Sequence, residues 1–191
     1  MSAKSGRTLF AAGLITAALT STAIGQQDDK LGKVSFATSC DPKVQVEFDR
    51  GVAMLHSYWF LIARRKFEEI LKQDPTCAMA YWGVAMDLLG NTLATTPSRA
   101  DAQAAWDALE KARTIGAKTE RERDWIETLS AYFRDHDKVA VNARLAAYKA
   151  AMERMAQKYP DDYEVLVFYA LALQAAAPKD DLTYADRKSV V

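Results

Sequence analysis

Apolar residues return at helical spacing in every long segment of this chain, and that period limits the possible folds more than any other feature. Val46, Phe48, Val52, Met54, Leu55 and Trp59 form one stripe. Phe60, Ala63, Phe67, Ile70 and Leu71 form the next, with Arg64, Arg65, Lys66, Glu68 and Glu69 on the opposite side. Capping signals fall where the pattern restarts. Asp41-Pro42 offers a cap and a first-turn proline, and Ser98, Thr119 and Asp161 are each followed three residues later by a carboxylate, Asp101, Glu122 and Glu164. Such pairs satisfy backbone N–H groups that no helical carbonyl can reach. Gly90-Asn91, Thr95-Thr96-Pro97, Ile115-Gly116 and the run from Arg134 to Asp137 read as connections. No segment alternates with period two, so no strand is predicted. The pattern predicts helices near residues 42–57, 59–73, 76–89, 98–115, 120–134, 138–158 and 161–177, with an incomplete one after Asp181.

The charge balance removes one class of partner. Among 191 residues, 25 Lys and Arg face 25 Asp and Glu, so no basic surplus is available to neutralise a nucleic-acid backbone. The first residues carry an address instead of structure. Lys4 and Arg7 precede an apolar run from Leu9 to Leu19, and Ala23-Ile-Gly25 offers small residues for cleavage, the pattern of a Sec-type signal peptide over residues 1–25. The run is shorter than the ~18–20 residues that span hydrocarbon, so the mature form is expected to be periplasmic or secreted, without a membrane segment. No cysteine follows the leader to take a lipid anchor.

Successive short helices raise the question of an internal repeat. Counting from Val44 on the tetratricopeptide period, Gly51 falls at the small site of the first helix and Met54 at its large site. Ala63 falls at the close-contact site of the second helix, Phe67 at its aromatic site, and Pro75 at the closing proline. Gly51 and Ala63 would let two helices approach while Phe67 fills the angle between them. A second unit opens with Tyr81, Trp82, Gly83, Ala85 and Leu88, a third with Trp125, Leu129 and Tyr132, and a fourth with Leu166, Tyr169, Ala170 and Leu173, all with looser spacing. The expected fold is all-α: a right-handed α-solenoid of antiparallel helix pairs, TPR-like, with stacked units burying a continuous core.

Three strings carry a resemblance: Phe36 to Cys40, Phe48 to Phe60, and Asp74 to Met86. With them the chain resembles exported bacterial tetratricopeptide repeat proteins over about Val34 to Ala177. The chain is then expected to divide into a leader at 1–25, an extended linker at 26–40, TPR-like repeats at 41–177 and an incomplete last helix pair at 178–191, and the resemblance implies a truncated member. Self-association through that open last unit is a further expectation.

Within this architecture Cys40 and Cys77 each stand just before a first helix of a unit, at one end of the stack, in an oxidising compartment. A disulfide between them is expected, stabilising by about 4 kcal/mol through loop closure. The alternative is two buried free thiols behaving as small apolar groups.

Catalytic patterns are scarce. The histidines, His56 and His136, have no metal-ligand spacing, and nucleophile elbows, phosphate loops and dinucleotide fingerprints are lacking. Acid pairs at helix starts read as caps. The chain is therefore expected to be non-catalytic, without metal or cofactor, and to bind a protein or peptide on the concave inner face. Counted from the register, the residues expected there are Phe48, Val52 and His56 from the first unit, Met79, Trp82 and Met86 from the second, and Arg123 and Arg134 from the third. Gln45 and Glu164 share that face. The competing reading is the N-terminal helical portion of a larger exported enzyme or metal-handling protein.

Overall fold

A computed structural model describes residues 31–178; the expected leader and the incomplete pair from Lys179 onward lie outside the described residues. A short 3-10 turn, Pro42–Val44, leads into seven α-helices. These are α1 (Gln45–His56), α2 (Phe60–Gln73), α3 (Ala78–Leu89), α4 (Arg99–Ile115), α5 (Glu120–Phe133), α6 (Val141–Lys158) and α7 (Tyr163–Ala176). Among the described residues there is no strand, and the fold is all-α and helical-repeat-like.

Local chemistry sets the helix ends. The Ser98 hydroxyl accepts from the Asp101 N–H at the start of α4, and Thr119 with Glu122 forms a reciprocal capping box at the start of α5. At α7 the cap is Asp162 and not Asp161. Asp162 accepts from the N–H groups of Glu164 and Val165, because its carboxylate lies one residue nearer the helix start. Gly90 and Gly116 end α3 and α4 at φ values of 67° and 83°, where a residue with a Cβ would be strained. Tyr58 takes φ 59° in the two-helix turn between α1 and α2.

Each helix packs against the next, and α1 against α3 and α3 against α5 as well. Phe67 of α2, fully buried, is the wedge between α1 and α3. A Cβ built on Gly51 would come within 2.8 Å of its ring, and one on Gly83 within 2.5 Å. Both glycines are thus required by the close approach of one aromatic ring. Alternate helices also share an aromatic cluster at their centre. Trp82 of α3 lies 5.2 Å from Trp125 of α5 and 5.8 Å from Phe168 of α7, between ring centroids. Phe48 of α1 packs edge-on against Phe67 at 5.4 Å. No described helix is long and apolar enough to cross a membrane.

Candidate functional site

The sequence places aromatic and apolar residues on α1, α3 and α5 facing inward, and the structure shows what covers them. Residues 31–40 carry no regular secondary structure, yet they are not a free linker. Phe36 is fully buried, its ring 5.4 Å from Phe48, 5.3 Å from Trp82 and 5.2 Å from Trp125. The Arg121 guanidinium lies over the other side of it, 4.4 Å from the centroid, while its Nε donates to Asp162 at 2.5 Å.

Main-chain hydrogen bonds fix the rest of this segment. The Phe36 N–H donates to Asp49 at 3.0 Å, and the Gln45 amide reaches both ways, donating to the Phe36 carbonyl and accepting from the Thr38 N–H. Glu122 accepts from the Ser39 N–H at 2.7 Å and from the Ser39 hydroxyl at 2.6 Å, and Lys118 donates to the Ser39 carbonyl. The Asp41 N–H donates to Asp74 at 2.8 Å. Next to this last contact, Cys40 and Cys77 form a disulfide across Cα atoms 4.8 Å apart. The cysteines therefore do not act as thiolate ligands, although they lie beside the Asp74 carboxylate.

Two carboxylates that clamp the segment have shifted acidities. Burial by itself would raise Glu122, but donors from Ser39 and Thr119 outweigh it and hold the group below the usual carboxylate range. Asp74 behaves alike. Burial opposes its charge, and the Asp41 N–H together with both donors of Thr76 pulls the acidity the other way, with Lys118 adding to the effect. Asp87 moves in the opposite direction. Desolvation raises it, and the Arg64 guanidinium at 2.5 Å offsets that only in part.

The expected inner-face set divides accordingly. Phe48, Val52, Met79 and Trp82 have no exposed surface to offer a partner, and the Phe36 ring packs on two of them, Phe48 and Trp82. A stripe of residues on the buried side of its helices is also a stripe that the chain's own Phe36 can cover. Arg123 is exposed and donates to the carbonyls of Ala117 and Lys118, closing the turn before α5. Arg134 is exposed, with Glu127 at 3.7 Å as its acidic neighbour. Neither arginine lies beside the aromatic cluster.

His56 and Met86 belong to a separate space, a cavity of about 490 Å³ between α1, α3, α6 and α7. Its walls include Leu55, Met86, Leu89, Phe168, Leu171 and Ala172. Polar side chains enter at Lys33, Ser57, Asn91 and Thr92 as well as at His56 and Glu164. His56 Nε2 and a Glu164 oxygen are 2.7 Å apart, and the His56 ring also lies 5.1 Å from the Phe168 ring. Tyr148 of α6 lines the cavity too, almost fully buried, and desolvation pushes its hydroxyl well above the ordinary tyrosine range. Beside the mouth, Tyr58, Leu93 and Val167 are exposed by 49 %, 42 % and 44 %.

The sequence reading missed three parts of this arrangement: Phe36 as a plug, Glu122 as its clamp and Tyr148 as a cavity wall. An aromatic residue four positions before a cysteine was the available signal for the first. Glu122 was legible as a cap, but its second role depends on a contact 83 residues away in sequence. The chain matches no protein-family model, and comparison with curated proteins and solved structures found no similar one.

Proposed function

We propose that this chain is a non-catalytic protein-interaction scaffold built on a right-handed, TPR-like α-solenoid and exported to the periplasm or beyond. The stacked-pair reading is supported by the way α1, α3, α5 and α7 meet in one aromatic cluster, with Phe67 of α2 wedged between α1 and α3. The exported reading is supported by the disulfide and by the leader-like residues 1–25.

The observation that carries the interaction reading is an exposed apolar corner. At the turn from α1 to α2, Tyr58, Trp59, Leu61 and Ile62 are exposed by 49 %, 43 %, 59 % and 48 %. Large apolar side chains clustered in this way mark a surface that another molecule covers. The occupant is a peptide or helix of a partner protein, whose apolar residues pack on this corner. The buried set Phe48, Val52, Met79 and Trp82 shapes the scaffold behind it.

Capture from envelope extract with immobilised wild-type chain, compared with Trp59→Glu and Ile62→Glu, tests the reading. Both substitutions are at exposed positions and leave the core intact. A protein retained by wild type and lost from both variants is the expected result. Identical captured sets would refute the corner as the docking surface.

A further inference from the structure

The cavity between α1, α3, α6 and α7 adjoins the apolar corner at Tyr58, but its chemistry points to a different kind of occupant. Its volume of about 490 Å³ is greater than one aromatic side chain fills, and it falls within the ~300–1,000 Å³ typical of small-molecule sites. Most of its lining is apolar, which is the usual composition of such sites.

One polar group in that lining has no hydrogen-bond partner among the described residues. Tyr148 is 4 % exposed, and its hydroxyl makes no hydrogen bond to any described residue. A molecule in the cavity that offers an acceptor would supply the partner that the described residues do not. Several other polar side chains of the lining are already committed to one another or to the backbone. His56 and Glu164 bond to each other, and the Asn91 side-chain oxygen accepts from the Leu93 N–H. Lys33 and Glu164 bring one basic and one acidic group to the same lining, so a ligand with net charge of either sign meets a like charge there.

We propose that this cavity is a binding site for a small, uncharged and mainly apolar molecule carrying a carbonyl or ether oxygen, which accepts a hydrogen bond from the Tyr148 hydroxyl. The apolar walls supply most of the affinity. Tyr148 fixes orientation and favours molecules with an acceptor over plain hydrocarbons.

The probe is Nile red, an uncharged apolar dye with one ring carbonyl, titrated into the full chain with its disulfide intact. Saturable fluorescence enhancement at one site per chain is expected. Tyr148→Phe keeps the ring and removes the donor, and should weaken binding about five-fold, the loss expected for one neutral hydrogen bond. Ala172→Phe fills the cavity and Leu171→Trp narrows it, and each should abolish the saturable signal. Circular dichroism and thermal melts of the unliganded variants identify any that fail to fold, and those are replaced by Val167→Trp at the mouth. Enhancement that does not saturate, or equal affinity in wild type, Tyr148→Phe and the folded filling variants, would overturn the proposal. So would tighter binding of the anionic dye anilinonaphthalene sulfonate than of Nile red. Trp59→Glu should leave Nile red binding unchanged, which separates this site from the partner-docking corner.

Discussion

Replacing Gly83 with Ala sets two effects of opposite sign against each other. In an unobstructed helix interior, Gly→Ala stabilises by about 1 kcal/mol because alanine has the better helix propensity. At this position a Cβ would stand 2.5 Å from Cδ1 of Phe67 and 2.6 Å from Cγ and Cε1. Carbon atoms rest at about 3.5–4.0 Å, so the ring or α3 must yield by roughly 1 Å. Phe67 is fully buried and already packed against Gly51 and Phe48, which leaves it little room to withdraw. Overpacking of this kind costs about 1–3 kcal/mol, and the size of the overlap places it near the upper end. Net destabilisation should be about 2 kcal/mol once propensity is subtracted. For a chain of this length that lowers the melting midpoint by about 4–8 °C. Thermal melts followed by circular dichroism at 222 nm give the measurement. A double-mutant cycle with Phe67→Leu then identifies the cause, since Gly83→Ala should cost at least about 1 kcal/mol less when the ring is gone. A midpoint that rises in Gly83→Ala, or a cost that is the same in both backgrounds, would refute the wedge as the reason for glycine at this position.

Three further outcomes follow from the docked segment. Phe36→Ala should cost about 3–5 kcal/mol and shift tryptophan emission to the red, since Trp82 and Trp125 lose the ring that covers them; unchanged emission would show that the segment does not seal the cluster. Reducing the Cys40–Cys77 bond, or changing both cysteines to Ser, should lower stability by up to about 4 kcal/mol, and equal melting midpoints with and without reductant would contradict the loop-closure argument. The depressed acidity of Glu122 sets a pH dependence: its contribution is fully present above the ordinary glutamate value of about 4.3 and is lost as pH falls through the lower folded-state value. Glu122→Gln should therefore be less stable than wild type at neutral pH but show a flatter loss in acid, and parallel acid-denaturation curves for the two proteins would rule out this clamp.

The helices were legible in the sequence because their causes are local. Apolar spacing at 3.6 residues, the Ser98 and Thr119 caps, and glycines at 90 and 116 act over one or two turns, and the observed helices begin and end within a few residues of the predicted ones. The Gly51–Phe67 approach was also readable, since a repeat register is itself a statement about which residues two neighbouring helices share. The partner of each inward-facing side chain was not readable. Phe48 and Trp82 point the same way whether a foreign peptide or the chain's own Phe36 lies upon them, because amphipathic spacing encodes the direction of burial and not the identity of what does the burying. Only the packed chain decided that. It brought Glu122 to Ser39 and Cys40 to Cys77, and it placed Tyr148 in the lining of the same cavity as His56 and Phe168, all juxtapositions of residues far apart in sequence that no local pattern specifies.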